Sequence, residues 1–159
     1  MARYLYKLLA LVFSSAFSAG LLVTSIVFVN SWRQMEPAAS VEWFSIYGLL
    51  LGYVMVPMGG LAFVFTLVAF VSVLKEVNRS SLKTIWSLAL ISTMGMMILL
   101  PAYFGEANTR FFENTIELSE VSGEVERWAF WNWVRTGLSL SATMFILVGL
   151  ARKPAKIDD

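Results

Sequence analysis

The sequence predicts an all-α integral membrane protein, a four-helix bundle with a short amphipathic extracytoplasmic helix between its third and fourth spans. Three observations carry that expectation. Of the 159 residues, 58% are apolar and only 14% charged, whereas an ordinary soluble domain is about 25% charged. Four stretches, residues 4–30, 43–74, 84–104 and 129–151, each offer the roughly 20 mainly apolar residues that a bilayer-spanning helix needs. The charges also separate by sign along the chain, as described below. The length is that of one domain, residues 1–159.

The first stretch opens like a signal peptide, with Arg3 and Lys7 ahead of an apolar run and small residues at Ser18, Ala19 and Gly20. The run continues through Leu21, Leu22, Ile26, Val27 and Phe28, well past a signal core of about 7 to 15 residues, so it reads as a retained first span. Small residues four apart, Ala16 with Gly20 and Ser15 with Ala19, mark a packing face, because helices in lipid associate by close backbone approach. The second stretch carries the same signal at Gly48 and Gly52, for packing within the chain or between two copies. It also contains Pro57, Gly59 and Gly60, where a helix is expected to kink or unwind. Broken helices near the midplane line ligand sites in transporters, so small-solute transport is one reading of that segment. In the third stretch Met94, Met96 and Met97 face Met55 and Met58 of the second as flexible filler; soft-metal ligation lacks partner cysteines or histidines.

Residues 105–127 form the one long connection. Phe111, Leu118, Val121, Val125 and Trp128 recur at helical spacing, which predicts an amphipathic helix lying on the bundle mouth. Glu113, Glu117, Glu120 and Glu124 fall on its other face, as a solvated acidic surface or one for a cation or basic partner. Ser122 and Gly123, followed by Glu124 and Glu126, read as a break and a new helix start.

Orientation follows from the basic residues, since short cytoplasmic loops carry their excess. Arg3 and Lys7, then Lys75, Arg79 and Lys83, then Arg152, Lys153 and Lys156 flank one side and make up eight of the twelve. The other side holds Glu36, Glu42, Glu106, Glu113, Glu117, Glu120, Glu124 and Glu126, eight of the eleven acids. Both termini are therefore expected in the cytoplasm, in a bacterial plasma membrane. Five of the six tryptophans, Trp32, Trp43, Trp128, Trp131 and Trp133, gather at the outer side, which makes that end the specialised one.

The chain has no cysteine and no histidine. Disulfides, thiolate zinc sites and imidazole-ligated haem, copper or iron are thereby excluded, and no metal or other cofactor is expected. A net charge of +1 argues against nucleic acid as a partner. Any chemistry falls to carboxylates, amides, hydroxyls, arginine and aromatics. The fourth span supplies the most polar intramembrane stripe: Trp128, Asn132 and Arg135 stand at i, i+4 and i+7, with Ser139 and Thr143 continuing inward. Together with Trp131, Glu106, Asn108 and Asn114 they outline a candidate pocket at the outer mouth, aromatic-walled, with one fixed cation. Its ligand would be a small aromatic or quinone-like hydrophobic molecule. A polar clamp or an interfacial arginine anchor accounts for the same residues.

The element Trp131-Asn132-Trp133-Val134-Arg135-Thr136, following an Asn-containing stretch after the third span, resembles the anthrone oxygenase-like family of small four-helix membrane proteins. That family shows a Pro-hydrophobic-Asn element after its third span and then a Trp-Asn-His-Val-Arg-Thr type element. Here Phe112-Glu113-Asn114 stands without the proline, and Trp133 occupies the histidine position. The resemblance implies four membrane spans. Most members have no assigned reaction; those with a proposed one are thought to oxidise polycyclic phenolic anthrones with oxygen, without metal or flavin. In such chemistry Glu106 or Glu113 would have to replace the absent base. The competing expectation is a non-catalytic subunit or interaction module of a larger membrane complex, or a homo-oligomer.

Overall fold

A computed structural model of the chain describes residues 2–76 and 80–152. Among them there is no strand. Four long helices cover nearly all of the chain: α1 (Tyr4–Arg33), α2 (Pro37–Leu74), α3 (Ser80–Phe112) and α4 (Val121–Ala151). Each is long and apolar enough to cross a membrane, so this is a multi-pass membrane bundle. The chain runs up and down, with α1 packed on α2 and α4, and α3 on α2 and α4. The end opposite the described termini is called the crown below.

Every helix extends further at the crown than hydropathy alone implies. The apolar windows close at 30, 43, 104 and 129, whereas the helices continue to Arg33, Pro37, Phe112 and Val121. An aromatic cluster supports the extensions. Trp32 is packed by Phe44, Phe111 and Trp128 with ring centroids 4.7, 5.0 and 5.6 Å away, and Phe104 sits edge-on to Trp128 at 5.3 Å. Rings offset or edge-on add to the energy of burial alone. Thus polar helix ends are held in register outside the apolar windows by rings contributed from all four helices.

The amphipathic helix expected between the third and fourth spans is not formed as a separate element. Residues 113–120 are turns, and the apolar residues assigned to that helix are divided between its neighbours: Phe111 closes α3, while Val121, Val125 and Trp128 open α4, all four buried in the aromatic cluster. Leu118 belongs to neither and is 55% exposed. The break falls at Asn114, in the left-handed region with φ 53°. Thr115 N–H bonds back to the Arg110 carbonyl and Asn114 N–H to that of Phe111, the paired closure that ends a helix on a left-handed Asn or Gly. Ser122 and Gly123, expected as a break, instead lie inside the first turn of α4.

The expected unwinding at Pro57 is also not observed, since helix is continuous from Leu49 to Leu74. The irregular backbone lies nearer the crown, where three of the four helices each contain a five-residue π-helical segment: Thr24–Phe28, Phe44–Gly48 and Leu100–Phe104. Below this level helices α1 and α2 interlock reciprocally. A Cβ on Gly20 would lie 2.7 Å from the Met55 sulfur, and one on Gly59 would lie 3.0 Å from the Phe17 ring. Gly52 and Gly60 have no neighbour within 4 Å, and Gly48 meets only the ring of Phe44.

On α4 the exposed apolar residues run from Phe130 to Val148, about 27 Å at 1.5 Å per residue, close to the ~30 Å hydrocarbon thickness. Of the basic residues used for orientation, Lys7, Lys75, Lys83 and Arg152 lie at the end bearing the termini. Arg79, Lys153 and Lys156 lie outside the described residues.

Candidate functional site

Helical spacing places Trp128, Asn132, Arg135, Thr136, Ser139 and Thr143 on one side of α4, and α1 presents Ser14, Ser18 and Ser25 against them. The result is a polar seam through an apolar bundle. Ser14 and Thr143 hydroxyls stand 2.7 Å apart, Ser18 and Ser139 2.7 Å, and Ser25 and Thr136 3.2 Å. In hydrocarbon a hydroxyl finds no water, so pairing across helices is its available satisfaction.

The seam ends at Asn132 and Arg135. Asn132 is fully buried; its Nδ2 donates to Ser25 Oγ at 2.7 Å, and its Oδ1 accepts from Arg135 Nη2 at 2.8 Å. One amide therefore uses both its donor and its acceptor to tie α1 to the guanidinium. The guanidinium lies over the Phe104 ring at 4.2 Å, within cation–π range. Its Nε is buried without an acceptor, and among the described residues no acid pairs with it. Arg135 sits five residues inside Phe130, about 7 to 8 Å below the edge of the apolar belt, and it turns into the bundle. A cation at membrane depth is costly and faces the interior or a cavity when it is retained.

Such a cavity is present. About 40 Å³ of space remains between Phe17 of α1, Met55, Val56 and Gly59 of α2, Met96, Met97 and Leu100 of α3, and Arg135. A water molecule requires about 10 to 15 Å³ measured this way, so the space admits a polar head group and not a whole ring. Arg135 supplies its only charged side chain. Val56 is exposed on the surface of the bundle, so the cavity wall reaches the lipid side at α2. Three thioethers and a phenyl ring make an adaptable lining.

The π-helical segments act on this group. The segment in α1 delivers Ser25 to Asn132, that in α2 delivers Phe44 to the aromatic cluster, and that in α3 places Phe104 beneath Arg135 and Tyr103 beside Trp131. Single-turn π-helical insertions inside α-helices occur frequently at functional sites. Two of the three, those in α1 and α3, touch Asn132 or Arg135 directly, and the third supports the aromatic cluster.

A second cavity, about 140 Å³, opens above the first between α3 and α4, lined by Tyr103, Glu106, Arg110, Glu124 and Arg127. Glu124 is buried; it accepts from Tyr103 Oη at 2.7 Å and stands 3.5 Å from Arg127 and 3.9 Å from Arg110. Arg110 also pairs with Glu120. The segment Leu100–Phe104 is the wall common to both cavities, with Leu100 on one and Tyr103 on the other.

The outlined pocket residues are thus distributed rather than gathered. Asn132 and Arg135 are bonded partners at the inner cavity. Trp128 Nε1 donates to Asn108 Oδ1 at 2.9 Å within the solid aromatic cluster, and Trp131 packs half-buried on Tyr103. Glu106 lines the upper cavity, while Asn114 is exposed at the end of α3. Of the helix-packing residues, Gly59 lines the inner cavity. Ser25, Phe17, Phe104 and the methionines escaped the sequence reading as site residues. The spacing of Ser14, Ser18 and Ser25, four then seven residues, is the signal that exposes the polar face of α1.

Among the described residues no three acids gather to hold a metal ion. The chemistry on offer is that of an arginine in an apolar cavity, which suits a carbonyl, phenolate or carboxylate oxygen. Fold and site define a four-span helical membrane protein with an internal arginine that has no acid partner among the described residues. No family model, no curated protein and no solved structure matches the chain.

Proposed function

We propose that the protein binds a small hydrophobic molecule, aromatic or quinone-like, whose oxygen is held by Arg135 in the cavity between the helices. The observation that carries this reading is the guanidinium itself: buried on its Nε side, over the Phe104 ring and, among the described residues, bonded only to Asn132 and without an acid partner. An oxygen acceptor from a ligand satisfies the free donors, and the ring system extends past Val56 and Met97 toward lipid. This places the ligand oxygen deeper than the mouth lined by Trp128 and Trp131, whose rings are committed to packing.

The resemblance of Trp131–Thr136 to the anthrone oxygenase-like element favours phenolic or quinonoid rings among such ligands. Oxygenase-like chemistry is the catalytic extension of the same reading: Arg135 stabilises a phenolate or enolate oxygen as charge develops on it. Tyr103, on the Leu100–Phe104 segment that walls both cavities, and its partner Glu124 form a hydrogen-bonded pair on the upper cavity. The orientation that accompanies the proposal puts both termini in the cytoplasm of a bacterial plasma membrane, supported by Lys7, Lys75, Lys83 and Arg152 at one end and the acids of the crown at the other.

The test is thermal unfolding in mild detergent with 1,4-naphthoquinone and with naphthalene, the matched hydrocarbon. The wild-type protein is stabilised by the quinone and not by naphthalene, and Arg135→Gln removes the difference. Equal shifts from both probes, or an undiminished quinone shift in Arg135→Gln, would overturn the proposal.

A second reading, a subunit of a larger membrane assembly or a homo-oligomer, draws on the surface of α2. Gly52 and Gly60 have nothing within 4 Å, and Tyr53 beside them is 68% exposed. A stoichiometric partner retained through mild extraction, and released by Gly52→Leu, is the outcome that favours it.

A further inference from the structure

A further cavity lies at the opposite end of the bundle from the crown, and the function above does not use it. About 290 Å³ in volume, it is near the lower limit of ordinary ligand pockets, roughly 300 Å³. Its walls come from the start of α1 (Tyr4, Lys7), the turn after α2 (Glu76), the start of α3 (Leu82) and the end of α4 (Gly149, Arg152). The polar groups on those walls are unbalanced. Tyr4, Lys7 and Arg152 are donors, and Glu76 is the one acid among the lining residues.

Lys7 shows how the cavity is built. Its side chain is only 14% exposed, although it is a lysine in the second turn of a terminal helix. The ammonium stands 3.3 Å from Glu76 Oε1 and 5.9 Å from the Trp86 ring centroid. One of its three N–H groups is thereby used, and among the described residues the other two have no acceptor. Trp86 is itself fully buried, and its Nε1 has no acceptor. That indole nitrogen lies directly behind Gly149, where a Cβ would come within 2.7 Å of it. Gly149 also lines the cavity, so its backbone stands between the open space and the buried indole. Arg152 makes no ion pair among the described residues.

We infer that this cavity is a binding site for a phosphate-bearing group, with the phosphate of an anionic phospholipid head as the occupant its position favours. Lys7 and Arg152 neutralise the phosphate from two helices, and Tyr4 donates a hydrogen bond from the rim. Leu5 of α1 and Val148 of α4, each next in sequence to a lining residue, are exposed and offer apolar surface on which acyl chains would lie. Basic pockets between spanning helices bind anionic head groups by this arrangement. The site is independent of Arg135, which lies 17 positions from Arg152 along α4.

The experiment uses the full chain, delipidated in neutral detergent, and measures thermal unfolding and bound mass. Dioleoyl phosphatidylglycerol, dioleoyl phosphatidylcholine and inorganic phosphate are added separately. Phosphatidylglycerol is expected to raise the midpoint by about 4 °C or more at saturation and to be retained as a one-to-one adduct, while phosphatidylcholine does neither. Arg152→Gln, whose side chain makes no ion pair among the described residues, is expected to weaken retention at least about tenfold, a change of ~1.4 kcal/mol. A shift with inorganic phosphate that matches the lipid supports the phosphate site and assigns it a soluble occupant. Equal retention of both lipids, or full retention of phosphatidylglycerol by a folded Arg152→Gln protein, would contradict the site.

Discussion

The two ends of the bundle solve the same packing problem with different materials. At the terminal end Ala10, Ala69, Ala89 and Gly149 let regular α-helices close around Trp86 and Ile146. At the crown large rings fill the interior, and three of the four helices widen locally into π-helical turns to accommodate them. Small residues allow close backbone approach without distortion. Rings and a buried Asn–Arg pair need the backbone itself to give way. The irregular turns therefore mark where side-chain chemistry, not helix geometry, sets the structure.

That contrast breaks first at Trp32, the ring on which the crown converges. Trp32→Ala should cost about 3 to 5 kcal/mol, read as a fall in the unfolding midpoint, because it removes four ring contacts and the bond from Nε1 to the Ser40 carbonyl. A loss below about 1 kcal/mol would mean that the crown is not a cooperative part of the fold. Asn132→Ala comes next, at about 2 to 3 kcal/mol, since it strands Ser25 and Arg135 without their shared partner. The check is a double-mutant cycle with Ser25→Ala, in which the two losses should fall short of additive.

At the terminal end the sharper comparison is between glycines. Gly149→Ala drives a methyl against the rigid, fully buried Trp86 indole and should cost about 1 to 3 kcal/mol. Gly52→Ala meets nothing and should leave stability within about 0.5 kcal/mol; a clear destabilisation there would show that α2 packs against another chain. The smallest effect belongs to the crown's exposed ion pair. Arg33 bonds Glu126 through two nitrogens at 2.7 Å, yet both side chains are more than a third exposed, so Arg33→Ala should cost less than about 1 kcal/mol and less still in high salt.

The four spans were legible because hydrophobicity over twenty residues is a one-dimensional property. The polar stripe of α4 was legible because three positions repeat at helical spacing. The limits of the helices were less so: hydropathy ends at Phe104 and Ala129, but the helices persist because Phe111, Val121 and Val125 bury in one cluster with Trp32 and Phe44, which are distant in sequence. For the same reason the connecting amphipathic helix failed. A periodic apolar pattern does not say whether one helix or two meeting ends bury it, and Asn114 decided in favour of two by adopting a left-handed turn. The π-helical segments carry no local signature, since an extra residue per turn is selected by what packs against it. The outlined pocket separated into two cavities because Trp128 and Asn108 satisfy each other instead of facing a ligand.

The central claim is that Arg135 holds the oxygen of a hydrophobic ligand inside the bundle. Native mass spectrometry of the protein in mild detergent with added 1,4-naphthoquinone tests it most directly. A one-to-one quinone adduct on the wild-type chain that disappears in folded Arg135→Gln is the predicted result. An adduct that survives the substitution, or none on the wild-type chain, would leave Arg135 as a structural clamp for Asn132 and contradict the account.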